Sequence, residues 1–271
     1  MAGEKVEFTR EKETLLATLY GRAAHSRAGG TVLRDPLAER AVERIDYDFH
    51  RLRMRPVDAL AVAIRARAFD VLTAERLAAL PGATVVHLAC GLDTRVHRLD
   101  PPPGVRWFDV DYPDVIELRR RLFPPRAGYT MIGLPATDPG WAALVPGDRP
   151  LLAVAEGLMM YLTAAQVREV LGVIAGRSGS GEFVFDAISR AAVKLSRLQP
   201  QIRVTGATMR WGLTDPAEIT AADPRFRLVR QIFYSELPDV ARFPAGYRAA
   251  LAVVNRVYFL RRVGRILDYR F

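Results

Sequence analysis

VVHLACGLDTR, Val85 to Arg95, followed by WFDVDYP, Trp107 to Pro113, is the stretch that decides the fold. An apolar β-branched run enters a turn of small residues, and a second short strand then ends in an acid. That is how an α/β protein seats an adenosine-bearing cofactor at the first strand of its sheet. A dinucleotide fingerprint would place glycines at 89, 91 and 94, because bare backbone lets a helix N-terminus approach a pyrophosphate. Here those positions hold Ala89, Gly91 and Thr94. Asp93 adds a negative charge that would repel a diphosphate unless something neutralised it. A phosphate-free, net positive cofactor fits the turn better, and S-adenosylmethionine is such a cofactor. Its adenosine can use the same glycine turn, and its sulfonium and ammonium groups tolerate a nearby carboxylate. Asp111, twenty residues beyond Gly91, is the expected partner of the ribose hydroxyls. A lone glycine after a strand is also common in any α/β fold, so the turn by itself leaves a purely structural reading open.

Working outward, 271 residues suffice for one large α/β domain and are slightly short for two, so residues 1–271 are expected to form a single domain. Residues 1–80 read as a helical cap ahead of a core over 81–271. KETLLATLYGRA (Lys12 to Ala23) carries apolar positions at helical spacing, and DALAVAIRARAFDVLTAERLAAL is a long amphipathic run ended by Pro81-Gly82. Strands are expected near 84–88, 105–109, 129–132, 151–155 and 182–186, with crossovers of the length that parallel pairing needs. RLVRQIFYSEL (Arg227 to Leu237) and RVYFLRRVG (Arg256 to Gly264) read as a sixth and a seventh strand. The intervening stretch near 189–226 contains Leu198, Trp211 and several arginines and reads as an insertion, not as a simple crossover.

Composition narrows the class further. Half of the residues are apolar, yet no run approaches the eighteen that a membrane span needs. MAGEKVEFTR lacks the apolar core of a signal peptide, so a cytoplasmic location is the default. Cys90 is the single cysteine and reads as a small buried hydrophobe, not a nucleophile. The net charge of +9 is nearly all arginine, spread along the chain instead of gathered into basic blocks with interleaved aromatics. The compact runs RLRMRP (Arg51 to Pro56) and RRR (Arg119 to Arg121) read as a solvated face, and no nucleic-acid partner is expected. No His, Cys, Asp and Glu cluster has metal-ligand spacing, which disfavours a metal-dependent reaction.

In open α/β sheets ligands collect at the C-terminal ends of the strands, so Ala89, Gly91, Asp111 and Glu156 are expected to converge in one cleft. Glu156 follows the apolar strand LLAVA and precedes the helical segment YLTAAQVREVL. It can face the methionine end of the cofactor and accept from its ammonium group, or it can simply oppose the helix dipole.

The ordered set CGLDTR, DVDYP and EGLMMYL resembles the leucine carboxyl methyltransferase superfamily, and within it the bacterial O-methyltransferases of the tetracenomycin polyketide-synthesis type. The resemblance extends through RDPLAERAVERIDYDF, RARAFD, TDPGW, FVFDAISR and TGATMRWGLTDP, almost the whole chain. It implies a class I methyltransferase fold, α/β and Rossmann-like: a seven-stranded, mostly parallel sheet, last strand antiparallel, under an N-terminal helical cap, with the insertion near 189–226 on the substrate side. It also implies transfer of a methyl group from S-adenosylmethionine to a carboxyl or hydroxyl of a small, polyketide-like metabolite. By motif, Lys12 and Arg65, with Arg67 as a near alternative, correspond to the residues that clamp the cofactor carboxylate. For adenine, Ala136 and Thr137 would serve through backbone groups, or Asp138 through its side chain. Ala89 stands where many relatives have glycine; alanine is at ease only at negative φ, so an unstrained backbone is expected there, and a positive φ would count against this alignment of the turn.

The acceptor pocket is less legible. Tyr161, Arg210 with Trp211, and His25, close to Tyr20 and Arg22 in the cap, are the candidates for catalytic contacts with the acceptor. His87 reads as a core or edge histidine inside the first strand, and no histidine-acid base motif stands out. Three other functions remain in view: a protein C-terminal carboxyl methyltransferase, a nicotinamide-dependent oxidoreductase, and a silent S-adenosylmethionine-binding protein that has lost its acceptor site. The oligomeric state is not encoded in any feature of the sequence.

Overall fold

The computed structural model describes residues 4–5, 13–196, 208–256 and 263–271. A short parallel pair, β1 (Glu4–Lys5) with β2 (Ile45–Asp46), flanks two cap helices, α1 (Glu13–Arg27) and α2 (Pro36–Arg44). Asp35 starts α2: its carboxylate accepts from Ala38 N at 3.0 Å, and Pro36 supplies a pre-set φ at the first helical position. The long helix α3 (Pro56–Ala79) completes the cap and lies along the sheet.

The core alternates strands and helices: β3 (Thr84–Leu88), α4 (Arg95–Leu99), β4 (Arg106–Asp111), α5 (Pro113–Leu122), β5 (Tyr129–Gly133), α6 (Gly140–Leu144), β6 (Leu151–Ala155), α7 (Ala164–Arg177) and β7 (Gly181–Ile188). After β7 come α8 (Arg190–Ser196), α9 (Ala217–Ala222), β8 (Arg227–Phe233), α10 (Ala245–Arg256) and β9 (Gly264–Arg270). The seven strands are ordered β5-β4-β3-β6-β7-β9-β8. β9 slots between β7 and β8 and runs antiparallel to both, while the other neighbouring pairs of this sheet are parallel.

Alternation along the strands splits the core into two layers. Val86, Leu88, Leu151, Ala153, Phe183, Phe185, Leu267 and Tyr269 face α6 and α7, packing on Trp141, Val170 and Ile174. Val85, Trp107, Leu152, Val154, Val184 and Ile266 face α3 through Ile64, Phe69, Leu72 and Leu77. Because both faces are covered, LLAVA at β6 is buried at every position, as central parallel strands are. Each fully buried Leu, Val or Phe contributes about 1.5–3 kcal/mol. A third cluster joins Leu16, Leu19, Ala38 and Ala41 of the cap to Leu92, Leu118 and Leu122, so the cap sits on the turn after β3 and on α5.

Three expectations need correction. RVYFLRRVG is not the last strand: β9 begins only at Gly264, and residues 257–262 of that segment lie outside the described residues. GRILDYR escaped notice because it buries an arginine and an aspartate, Arg265 and Asp268, each 1% exposed. Arg265 is held by the carbonyls of Leu213 and Thr214, and Asp268 faces Arg76 of α3.

Ala89 does not have a negative φ; its φ is +49°, beside Gly91 at +50°, which counts against the alignment of the turn at that residue, although Gly91 N still meets Asp111 at 2.7 Å. The left-handed conformation at 89 is what a glycine would supply, so the alanine carries strain at a position where the turn calls for glycine. Asp93 N donates to Cys90 O at 3.0 Å and Cys90 N to Val110 O at 3.3 Å, which fixes the chain through the bend.

In the run RRR, Arg120 and Arg121 are exposed as a solvated face would be, but Arg119 is completely buried. Its partners belong to the site.

Candidate active site

At the C-terminal ends of the strands lies a cavity of about 600 Å³. Residues from α1, α3, the turn after β3, the ends of β4 and β6, and the 208–213 segment reach it. Of the sequence-predicted residues, Arg65, Ala89, Gly91, Asp111, Thr137, Glu156, Tyr161 and Arg210 line it. Ala136, Asp138 and His25 do not line it among the described residues, and Lys12 lies outside those residues.

Asp111 closes β4 with its carboxylate turned back to the glycine turn. Oδ2 accepts from Gly91 N and Oδ1 from Tyr112 N, each at 2.7 Å. Burial raises its pKa above the ordinary aspartate value, and the two N–H donors offset only part of that rise. A carboxylate offers about four lone-pair sites. Two are used, and two remain for a diol. Gly91 leaves the turn backbone bare toward the cavity; a Cβ there would stand 3.3 Å from Leu15 Cβ on the cap.

Glu156 is pinned between two guanidinium groups. Arg65 Nε donates to Oε1 at 2.8 Å and Arg95 Nη2 to Oε2 at 2.6 Å. Burial works to raise the Glu156 pKa, but Arg65 and Arg95 outweigh it and hold the group ionised. Arg65 projects from α3 with a quarter of its side chain exposed, and its Nη1 lies 3.8 Å from Asp186 Oδ2. Arg67, the alternative clamp, is on the exposed face of α3.

The charge of Asp93 does not count as the sequence suggested. It is paired with Arg95 Nη2 at 3.0 Å and Arg98 Nη1 at 2.6 Å, and although burial opposes ionisation these cations hold its pKa well below the usual range. Repulsion by Asp93 is therefore no argument against a phosphate-bearing cofactor. The adenine candidates also separate. Thr137 reaches the cavity, whereas the Ala136 carbonyl accepts from Trp141 Nε1 at 3.1 Å and Asp138 Oδ1 accepts from Gly140 N at 2.8 Å.

On the acceptor side, Tyr161 and Arg210 stand with Met160, Met209 and Ile188. Arg210 N and Trp211 N both donate to the Met160 carbonyl, at 2.8 and 3.2 Å, which holds this segment over the cavity. Trp211 itself packs on the core beneath. His25 instead accepts from Val32 N through Nε2 at 3.2 Å and closes the loop that follows α1. His87 lines the cavity, but Arg95 Nη1 lies 3.1 Å from its Nε2. A guanidinium can only donate, so Nε2 accepts and the proton sits on Nδ1, 3.4 Å from Asp109 Oδ1.

Sequence reasoning missed Asp186 and Tyr234. Asp186 accepts from Gly157 N at 2.7 Å and from the Tyr234 hydroxyl at 2.5 Å, and Tyr234 lines the cavity. The signal was available: Asp186 lies near the end of FVFDAI as Asp111 ends WFDVD, an acid after an apolar strand.

The sheet order and the ligand-facing strand ends define a class I methyltransferase fold. A candidate methyltransferase from Thermobifida fusca superposes with a TM-score of 0.55 over 92% of this chain and 93% of its own, at 19% identity. A DUF574 family protein from Streptomyces avermitilis gives 0.59 over 93% and 96%, at 12% identity. At such identities the likeness speaks for the fold alone.

Sequence relatives go further. The tetracenomycin polyketide synthesis O-methyltransferase TcmP of Streptomyces glaucescens is 41% identical over 269 residues, 99% of this chain and 100% of that one. The S-adenosyl-L-methionine-dependent methyltransferase dpfgK of Gibberella zeae is 36% identical over 88% of this chain and 86% of its own. The family model described as leucine carboxyl methyltransferase matches residues 15–125. The chain belongs to the leucine carboxyl methyltransferase family.

Proposed function

We propose that this methyltransferase, whose methyl donor is S-adenosylmethionine, delivers the methyl group to an oxygen of a small, polyketide-like metabolite, as one enzyme unit spanning residues 1–271 and working in the cytoplasm. The observation that carries the reading is the Asp111 carboxylate, buried at the end of β4 and bonded to Gly91 N, with acceptor capacity left for a ribose diol. The full-length likeness to TcmP supports the substrate class. No described helix is long and apolar enough to cross a membrane, which is compatible with that location.

The donor set fits the cofactor. Asp111 would hold the ribose, Arg65 the carboxylate and Glu156 the ammonium group, with Thr137 beside the adenine. Arg65 suits its task because a guanidinium is permanently charged and pairs with carboxylates in a bidentate manner. Lys12 would join Arg65 from the start of the cap. When bound, S-adenosylmethionine supplies a methyl group on a sulfonium, ready for in-line displacement. The protein's part is then to align the acceptor oxygen and to keep water out. Leu158, Met160 and Leu162 give the cavity an apolar wall for the second task, and Tyr161 and Arg210 are placed to orient the acceptor.

The choice between carboxyl and hydroxyl turns on proton removal. A carboxylic acid with a pKa of about 4 arrives ionised, whereas a phenol at about 10 needs a base. His87 has both ring nitrogens facing partners, and burial raises the Tyr234 hydroxyl pKa far above its ordinary value. With His87 Nε2 facing a guanidinium that can only donate, and the Tyr234 hydroxyl keeping its own proton, neither is placed to act as a base, which supports an acceptor that is already a carboxylate.

Calorimetric titration with S-adenosylmethionine tests the reading. The wild type should bind in the micromolar range, and Asp111→Ala should weaken binding tenfold or more, equivalent to about 1.4 kcal/mol. Absence of binding to the wild type, or an unchanged Kd in the variant, would sink it.

A further inference from the structure

The buried Arg119 is not used by any step above, and its surroundings are unusual for a residue in a run of three arginines. It leaves α5 and directs Nη1 at two carbonyls of the turn after β3, Gly91 O and Asp93 O, each at 2.7 Å. Its Nη2 pairs with Asp109 Oδ2 and lies 2.9 Å from the Tyr129 hydroxyl. Tyr129 in turn donates to Asp109 Oδ2 at 2.5 Å, and Trp107 Nε1 to Asp109 Oδ1 at 2.8 Å. The guanidinium also stands 5.2 Å from the centroid of the Phe123 ring. Asp109 of β4, Tyr129 of β5 and Phe123 just after α5 thus fix one cation, Trp107 steadies Asp109, and that cation grips the turn.

The turn needs such a grip. Ala89 and Gly91 both hold left-handed φ angles, +49° and +50°, and a left-handed alanine persists only where its surroundings over-determine it. With Gly91 O and Asp93 O fixed by Arg119 on one side, the Gly91 N–H is left pointing at Asp111 on the other. We propose that Arg119 is a positioning residue for cofactor binding: it holds the 89–93 turn in its strained left-handed form, so that Gly91 N and Asp111 are set before the cofactor arrives. The inference rests on the cofactor reading above but concerns a residue that does not line the cavity among the described residues.

The strain supplies a test that a merely structural role would not satisfy. Glycine adopts left-handed φ without penalty, so Ala89→Gly removes the conformation's cost and with it much of the need for the clamp. Binding of S-adenosylmethionine and of its product S-adenosylhomocysteine is measured by calorimetry on wild type, Arg119→Gln, Arg119→Gln/Ala89→Gly and Tyr129→Phe, with thermal unfolding of each. Arg119→Gln is expected to weaken both ligands about tenfold, equivalent to about 1.4 kcal/mol, and the double variant to recover most of that loss with a Tm at or above that of Arg119→Gln. Tyr129→Phe, which removes one support of the guanidinium and keeps the ring, should weaken binding by a smaller factor and stands in should Arg119→Gln fail to fold. Unchanged affinity in the Arg119 and Tyr129 variants overturns the clamp and leaves the cofactor reading intact. A loss that Ala89→Gly fails to recover also overturns it, and assigns Arg119 to packing. A wild type that binds neither ligand overturns the cofactor reading and the clamp together.

Discussion

Asp268 is a carboxylate whose surroundings prefer it protonated. It sits on β9, 1% exposed, opposite the charged partners that α3, β7 and β8 present: Arg76, Glu182 and Arg230. Burial, reinforced by Glu182, outweighs Arg76 and pushes its pKa up to about 6. In the unfolded chain an aspartate titrates near 3.9. Between those values the native state holds the extra proton, so this group's contribution to stability falls as pH rises from about 4 through about 6. Asp268→Asn removes the charge and keeps the shape. Its Tm should exceed that of the wild type by several degrees at pH 8, where the gap of about two units is equivalent to about 2–3 kcal/mol, and by about half as much at pH 5. Equal shifts at both pH values in a thermal melt would show that the carboxylate is not strained by its burial. The same residue explains a failure of pattern reading: an acid inside a strand looks like a break until its buried partner, here Arg76 at 2.7 Å, is known.

At the scale of elements, local chemistry sets the helix starts. Asp35-Pro36 starts α2, Pro113 starts α5, and Thr163 with Gln166 forms a capping box at α7, the hydroxyl accepting from Gln166 N at 3.2 Å and Gln166 Oε1 from Thr163 N at 2.9 Å. Gln166 also lines the cavity, so this cap ties helix stability to the acceptor side. Thr163→Ala should cost about 1 kcal/mol, and raise the KM for the acceptor while the cofactor Kd stays put. A KM equal to that of the wild type would separate the cap from the site. The first five strands of the sheet were readable within two residues at each end: β3, β4, β6 and β7 because their apolar runs answer to burial on both faces, and the edge strand β5 although only Ile132 of it is buried. What could not be read depends on distant partners. The left-handed Ala89 is set by the turn and the groups around it, the burial of Arg119 by Asp109, and the place of His25 by Val32. Likewise Arg65, Gly91, Asp111 and Glu156 announce themselves at strand ends or in a motif, whereas Tyr234 enters the cavity only because β8 packs beside β9.

Across the whole molecule, cap and core are joined by buried charge. Arg98 of α4 meets three carboxylates from three places: Asp35 before α2 at 3.1 Å, Asp70 of α3 at 2.8 Å and Asp93 of the turn at 2.6 Å. Arg22 of α1 adds Asp35 at 3.0 Å and the Leu92 carbonyl at 2.7 Å, and Arg95 carries the network on to Glu156. Such pairs give little net stability over apolar replacements, but removing one partner strands the others in a medium that does not solvate them. Arg98→Met should therefore cost about 3–5 kcal/mol in urea unfolding at pH 7. The sign of its pH dependence follows from Asp93, which burial alone would protonate but which Arg95 and Arg98 hold well below the ordinary value. A depressed carboxylate stabilises the fold above its unfolded pKa, and that contribution fades as pH falls through the folded value. The variant has less of it to lose, so the gap between wild type and Arg98→Met should narrow as pH drops below about 4. Asp70→Asn added to Arg98→Met should restore part of the stability at pH 7, because without Arg98 both Asp70 and Asp93 are left to the single guanidinium of Arg95. A single-variant cost under 1 kcal/mol, or a double variant worse than the sum of its parts, would mean that the cap is held by its apolar contacts with Leu92 and α5, and that the charges merely fill the space between.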